Sequence, residues 1–480
     1  MAVAGTFVLW EFVMARFSAV AVARPRMLEY LDTAPMVGLQ LRTIVLCALV
    51  ALLDGVDNQS IGVVAPLMAR DLGLSKTALG LIFSISQLGA TLGALAFGPL
   101  ADRFGRKTAC LFAVGAITVF TYLTAVTPGF AAMVLVRFAA GVALAGAIPC
   151  VLALGSEYAP LRLRGTIASL IFAGYPLGAA LGGFLGAYIL ANHDWRWVFY
   201  IGALMPLGAL VLIWLFMPES IRFLLSRGGR EQEVQAIARR LGIPDAEIGE
   251  ISAPPAGDAA KRSTSVPISR LFSQGLLVST LLLWLIYFFS YATTKIMVVW
   301  LPSLLTDMGF DVSRAAVAQA SFNLGCAGGM AVAGRLVDRY GAARAMAPAL
   351  ILGAACVAGL GSAGHDYTMV LVASAGVGLL VGIGGSGAHS IAVTIYPTSI
   401  RSTGLGWGMA ASRLGQVVSP MMVAMLLAAG VASSQVYFVV AVFPFLAAIA
   451  CLAFGWADQR RNAAAPTGPA GAMVEKSLGV

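Results

Sequence analysis

The chain has 480 residues, of which 59% are hydrophobic and only 11% charged, whereas soluble domains carry about 25% charged residues; this composition excludes a soluble enzyme or binding module. The formal net charge of +9 does not mark a nucleic-acid partner, because Lys and Arg fall in short stretches between apolar runs and not on one soluble face. The six cysteines all lie in apolar runs, with no CxxC and no metal-ligand spacing, so no disulfide, metal or cofactor is expected.

Residues 1–38 read as an N-terminal cytoplasmic extension, or as translation from upstream of a true start at Met27. Their apolar run is broken by Glu11 and Arg16 and lacks the positive leader of a signal peptide. Twelve apolar segments of membrane-spanning length follow, near 43–68, 78–100, 108–127, 130–156, 166–190, 197–217, 275–304, 315–337, 345–362, 369–395, 404–430 and 436–457. They divide the chain into a six-helix bundle over 39–217, a polar cytoplasmic loop over 218–274 with a helical stretch near Arg230–Leu241, a second six-helix bundle over 275–457, and a cytoplasmic tail over 458–480.

The first span contains LLDGVDNQSIGVVAP, Leu52–Pro66, which sets Asp54 and Asp57 in an apolar segment. A carboxylate at mid-bilayer costs about 2.5–3.5 kcal/mol on insertion scales. Spacing i,i+3 puts both on one helix face, and Gly55 between them lets another backbone come close. Such a pair either glues the bundle or faces a water-filled cavity as a proton or substrate site.

Lys and Arg then set the topology. With the N-terminus inside, 24 of the 31 fall in inner loops and tails, four in outer loops (Arg70, Lys76, Arg196, Arg314) and three within spans (Arg137, Lys295, Arg413). The positive-inside rule places both termini and the central loop in the cytoplasm.

The halves repeat. GPLADRFGR at Gly98–Arg106 recurs as GRLVDRYG at Gly334–Gly341, an offset of 236, and Arg164-Gly165 is echoed by Arg401-Ser-Thr-Gly404, an offset of 237. A duplicated six-helix unit predicts an all-α membrane protein of twelve transmembrane helices in two pseudo-symmetric bundles, with a transport site between them at the midplane. In the loop after the second span, Gly98 allows close helix contact and Gly105 a tight turn. Asp102 can face a helix N-terminus, while Arg103, Arg106 and Lys107 hold the loop inside.

With these motifs the chain resembles the major facilitator superfamily from about Leu39 to Asp458. GPLADRFGRK matches its loop motif and Pro218-Glu219-Ser220 its usual ending of the sixth span. Asp54-Gly55-Val56-Asp57 with Gly62 and Ala65-Pro66, Arg137-Phe-Ala-Ala-Gly141 with Pro149, Ser156-Glu157-Tyr158, and Arg413-x-Gly415 with Pro420 are similar to the aromatic acid:proton symporters within it. That resemblance implies uptake of benzoate-, hydroxybenzoate- or phenylpropionate-like carboxylates across the bacterial inner membrane, with family roles falling on Asp54, Asp57, Arg137, Glu157, Asp338, Arg401 and Arg413. Antiporters of the superfamily tend to carry Gly before the Pro of the fifth span; here Tyr175 precedes Pro176, which favours symport. The second loop copy, Asp338-Arg339-Tyr-Gly341-Ala-Ala-Arg344, lacks the full ending, which puts its gating role in doubt.

Residue by residue, Arg137 needs an anionic partner, and Asp54 or Asp57 is the natural one. An aspartate that pairs with Arg137 when ionised and lets go when protonated gives a coupling scheme for protons. Arg413, in the other half, suits a substrate carboxylate through its bidentate fork. Glu157, with Arg162 and Arg164 close by in sequence, and Arg401 read as cytoplasmic gate residues. Lys295 reads as a snorkelling lysine near the outer end of its span, and His389 as a packing histidine or a proton relay. Tyr175, Tyr287, Tyr291, Phe322 and Asn323 lie mid-span, where an aromatic substrate needs stacking and polar partners.

The expected protein is thus a proton-coupled importer of an aromatic carboxylate, a monomer in the lipid bilayer. A transporter of another small organic anion and a transporter-like sensor are the alternatives. No nucleophile with a paired base and no phosphate loop points to an enzyme.

Overall fold

The computed structural model describes residues 36–227, 230–241, 271–272, 276–397 and 400–464. Fourteen α-helices lie among the described residues. The first six long helices are α1 (Gly38–Asp71), α2 (Lys76–Phe104), α3 (Arg106–Val126), α4 (Phe130–Tyr158), α5 (Arg164–Asn192) and α6 (Arg196–Phe216). Two short helices follow, α7 (Ile221–Arg227) and α8 (Glu231–Arg240). The second six are α9 (Leu277–Asp307), α10 (Val312–Tyr340), α11 (Ala342–Ser362), α12 (Tyr367–Ile395), α13 (Arg401–Ala428) and α14 (Ser433–Ala464). The N-terminal extension up to residue 35, most of the central loop and the tail beyond 464 lie outside the described residues.

The shortest of the twelve long helices have 21 residues, about 31 Å at 1.5 Å per residue and enough for a ~30 Å hydrocarbon core. In hydrocarbon the backbone must satisfy its own hydrogen bonds, which is why apolar runs of this length fold as helices. Eleven of the twelve are long and apolar enough to cross a membrane by length and composition. The exception is α10, where Gln319, Ser321 and Asn323 interrupt the apolar character. It packs mainly against α12 and α5, so its polar face is turned to protein.

The internal repeat is visible in helix register. α2 and α10 start at 76 and 312, 236 residues apart, and each has 29 residues. α3 and α11 start at 106 and 342, also 236 apart, and each has 21. α4 and α12 start at 130 and 367, 237 apart, and each has 29. Packing repeats too: a Cβ at Gly89 would strike the Phe138 carbonyl, and one at the equivalent Gly325 would strike the Ala375 carbonyl. Likewise Gly178 abuts the Leu52 carbonyl and Gly415 the Phe288 carbonyl. The turns after α2 and α10 both pivot on a glycine in the left-handed region, Gly105 at φ +100° and Gly341 at φ +80°, where a side chain would be strained.

The cores show how the lobes meet. At the predicted outer end, one apolar cluster joins both lobes, including Met68, Phe83, Trp195 and Phe199 with Trp300, Leu301, Leu304 and Tyr437. At the predicted inner end the cores are separate. One contains N-terminal-lobe residues such as Cys47, Phe97, Tyr158, Leu224 and Ile237; the other contains Leu283, Met346, Tyr396 and Phe454 of the C-terminal lobe. Contacts between lobes run along α5 with α10, α2 with α13, and α1 with α9. Lys76 and Asp307 close the outer end with an ion pair at 2.6 Å, and the Ser313 hydroxyl donates to the Ala187 carbonyl at 2.9 Å.

Gly98 departs from expectation. A Cβ there would meet nothing within 4 Å, and the same holds at its repeat partner Gly334. Neither glycine mediates close helix contact, because the lobes part towards that end.

Candidate functional site

The five Asp, Glu, Lys and Arg side chains lying away from helix ends, among the described residues, are Asp54, Asp57, Arg137, Lys295 and Arg413. The fold gathers them at mid-height. α1 carries the acids, and Gly55 between them abuts the Tyr175 carbonyl, which brings α5 onto α1.

Asp57 is 1% exposed and turns into its own lobe. Its Oδ1 accepts the Thr121 hydroxyl of α3 at 2.5 Å, and its Oδ2 has no hydrogen-bond partner among the described residues. Arg137 of α4, also 1% exposed, lies within electrostatic range of Asp57. Among the described residues its Nε and Nη1 have no hydrogen-bond partner, and no ion pair within 4.0 Å joins it to Asp57. The expected Arg137–aspartate contact is therefore a through-space attraction. The direct partner of Asp57 is Thr121, a neutral donor the sequence did not single out. The neighbouring Thr118 and Thr124 instead bond carbonyls of their own helix.

Asp54 is 7% exposed and borders a small cavity with Val50, Ile117 and Pro206. It lies within electrostatic range of Asp57 and, across the lobe boundary, of Arg413. Arg413 is half-buried on α13, with no hydrogen bond or ion pair among the described residues. Its electrostatic neighbours also include Tyr175, Tyr291 and Lys295.

Lys295 corrects an expectation. It does not snorkel: it is 8% exposed, and its Nζ reaches Asn58 Oδ1 across the boundary at 3.4 Å. The Asn58 amide in turn donates to the Tyr175 hydroxyl at 2.5 Å. Two more amide bonds cross nearby, Asn323 to Gln59 Oε1 at 2.9 Å and Gln87 to Gln416 Oε1 at 3.1 Å. Asn323 is thus 4% exposed and engaged between lobes. Phe322 is fully buried in the shared outer core.

On the C-terminal lobe, Tyr287 and Tyr291 stack with ring centroids 6.2 Å apart. The half-buried His389 meets Tyr287 edge-on at 5.1 Å and Tyr291 at 6.3 Å. Its Nδ1 lies 3.1 Å from the Gly385 carbonyl, a contact within its own helix. The sequence-predicted residues thus fall into an acid–arginine group in one lobe and an aromatic–cation group in the other, bridged by Asn58 and Tyr175.

The loop residues form a separate network at the predicted inner end. Glu157 pairs with Arg106 at 3.8 Å and accepts from the Ser220 hydroxyl. Among the described residues its ion-pair partner is therefore Arg106 and not Arg162 or Arg164, because the end of α4 lies beside the start of α3. Arg164 Nε donates to the Ser156 carbonyl at 2.9 Å. Arg106 also reaches Asp102 at 3.4 Å, whose side chain is 75% exposed. Glu219 Oε1 accepts from the backbone of Lys107 at 2.9 Å, and Arg227 donates to the Arg103 carbonyl. Arg401 Nε donates to the Tyr396 carbonyl at 3.3 Å, closing its own turn. Arg339 lies over the Tyr340 ring at 5.4 Å, and the Asp338 side chain lies outside the described residues. Among the described residues no group of three His, Cys, Asp or Glu side chains could hold a metal.

Residues 47–284 and 283–476 match the Major Facilitator Superfamily model. The chain is 33% identical to a gallate transporter of Pseudomonas putida, over 91% of this chain and 96% of that one. It is 34% identical to a 3-(3-hydroxy-phenyl)propionate transporter of Escherichia coli, over 81% and 87%. It is 31% identical to the 4-hydroxybenzoate transporter PcaK of Pseudomonas aeruginosa, over 85% and 91%. Among solved structures, a bacterial homologue of the lysosomal transporter Spinster superposes with a TM-score of 0.70 at 15% identity, over 89% of this chain and 99% of that one. A D-xylose–proton symporter superposes at 0.68 and 18% identity, over 86% and 97%.

Proposed function

Because the chain belongs to the major facilitator superfamily, among its aromatic acid transporters, we propose that it imports an aromatic carboxylic acid together with protons, by alternating access between its two lobes. It is a multi-pass membrane transporter and not an enzyme. In this reading it sits as a monomer in a bacterial inner membrane with both termini in the cytoplasm, and the loop-motif end is the cytoplasmic end.

The observation that carries the proposal is an asymmetry in the repeat. At the 236-residue offset, Asp54 and Asp57 correspond to Ser290 and Thr293; at 237, Arg137 corresponds to Ser374. Packing is served by uncharged residues in one lobe, so the charges in the other have a task beyond packing. Two neighbouring carboxylates, Asp57 in range of Arg137 and Asp54 in range of Arg413, are suited to taking up and releasing protons. The C-terminal lobe supplies the complementary chemistry, with Arg413 for a carboxylate and the Tyr287–Tyr291–His389 cluster for a ring. The joined outer core and separate inner cores correspond to the inward-facing state of the cycle.

The test is uptake into proteoliposomes under an imposed inward proton gradient. Labelled 4-hydroxybenzoate, benzoate or gallate is expected to accumulate above its external concentration, and a protonophore is expected to abolish the excess. Accumulation indifferent to the gradient would remove proton coupling. Preference for non-aromatic anions would favour the wider organic-anion reading, and binding without accumulation would favour a sensor.

A further inference from the structure

The five mid-height charges do not balance. Asp54 and Asp57 supply two negative charges against the three positive charges of Arg137, Lys295 and Arg413. The imbalance is also spatial: both acids lie in the N-terminal lobe, which leaves the C-terminal lobe with two cations and no acid at this level.

Lys295 is the residue least explained by packing. An ammonium offers three donors, and the one partner found for it among the described residues is the neutral Asn58 amide, at 3.4 Å. Its charged neighbours within electrostatic range are Arg137 and Arg413, which repel it. A buried charge without a counter-ion is costly, and paired burial is the rule. The internal repeat sharpens the point. Lys295 stands 236 residues after Gln59, and Gln59 also makes a bond across the lobe boundary, accepting from Asn323 at 2.9 Å. A neutral amide therefore serves the linking role at one repeat position, and the cation at the other is surplus to it.

We propose that Lys295 is a second carboxylate anchor, which with Arg413 forms a two-cation clamp on the C-terminal lobe for the anionic group of the substrate. The inference rests on the aromatic-acid transport proposed above and specifies which side chains of the site meet the anion. A bound monocarboxylate supplies the counter-charge that the two cations of the C-terminal lobe lack at this level, and it leaves Asp54 and Asp57 free to carry the protons. It also takes Lys295 Nζ away from Asn58. That loosens α9 from α1 three residues from Gly55 and one from Asp57, so anchoring the anion and freeing the lobes become one event. Arg413 approaches from α13, and its planar fork and the ammonium present donors to the carboxylate from two helices.

The experiment is equilibrium binding of labelled 4-hydroxybenzoate to the purified full-length protein, for wild type, Lys295→Met and Lys295→Arg, with a thermal unfolding scan on each. The clamp predicts that Lys295→Met raises Kd by about 10- to 100-fold, the range for losing a hydrogen bond to a charged group. Lys295→Arg, which keeps the charge, is expected to bind more tightly than Lys295→Met. A packing role predicts the reverse order, because Met keeps the length of the stem and Arg exceeds it. Equal affinity in wild type and Lys295→Met, or tighter binding by Met than by Arg, would overturn the clamp alone. Failure of the wild type to bind 4-hydroxybenzoate, benzoate or gallate would overturn the transport reading and the clamp with it.

Discussion

Thr121 Oγ1 stands 2.5 Å from Asp57 Oδ1, so the innermost carboxylate of the site is held by a neutral hydroxyl on α3 and not by direct contact with Arg137. Asp57 is nearly inaccessible, and water cannot replace the lost donor in a Thr121→Val variant. We expect that variant to be destabilised by about 1–3 kcal/mol, the cost of a buried group left unsatisfied, and Thr121→Ser to be nearly neutral. In an Asp57→Asn background the Thr121→Val cost should shrink, since the two sites share one bond. A double-mutant cycle on thermal unfolding in detergent measures this.

The Lys76–Asp307 ion pair latches the lobes at the outer end. Both side chains are about one-third exposed, so the pair contributes at most about 1 kcal/mol. Overall stability should therefore barely change in Lys76→Ala, while the outward-open population rises by up to about fivefold. Distances between spin labels at Pro128 and Gly364, on the outer loops of the two lobes, report that population.

Glycines of identical type should differ in tolerance. Gly178 faces the Leu52 carbonyl and Gly415 the Phe288 carbonyl, so Ala at either forces the helices apart and should cost about 1–3 kcal/mol. Gly98 has open space around it, so Gly98→Ala should fold normally and gain about 0.5–1 kcal/mol from reduced helix-interior entropy loss. Gly98→Leu should also fold, yet slow uptake if the inner ends of the lobes meet during the cycle. Folding yield and uptake measured side by side separate the two effects.

The two-lobe fold was legible because burying a polypeptide in hydrocarbon leaves little choice but helices, and because loop landmarks at offsets of 236 and 237 are the same offsets at which α2–α4 and α10–α12 begin. Asp54, Asp57, Arg137 and Arg413 were legible because a charge in an apolar run is conspicuous. Thr121, Asn58 and Gln59 were not, since hydroxyls and amides cost little in a helix and their partners lie on other helices. The snorkelling expected of Lys295 fails because of helix length. α9 runs to Asp307, twelve residues or about 18 Å beyond Lys295, too far for its side chain to reach the outer surface. The pairing of Glu157 with Arg106 joins residues distant in sequence, and local spacing points instead to the nearer Arg162 and Arg164.

The role given to Asp54 and Asp57 is tested most directly by separating exchange from accumulation in proteoliposomes. Asp54→Asn and Asp57→Asn are each expected to retain counterflow of labelled 4-hydroxybenzoate against internal unlabelled acid, because the lobes still rock. Each should lose accumulation driven by a proton gradient. Gradient-driven accumulation at the wild-type level in both variants would contradict the account.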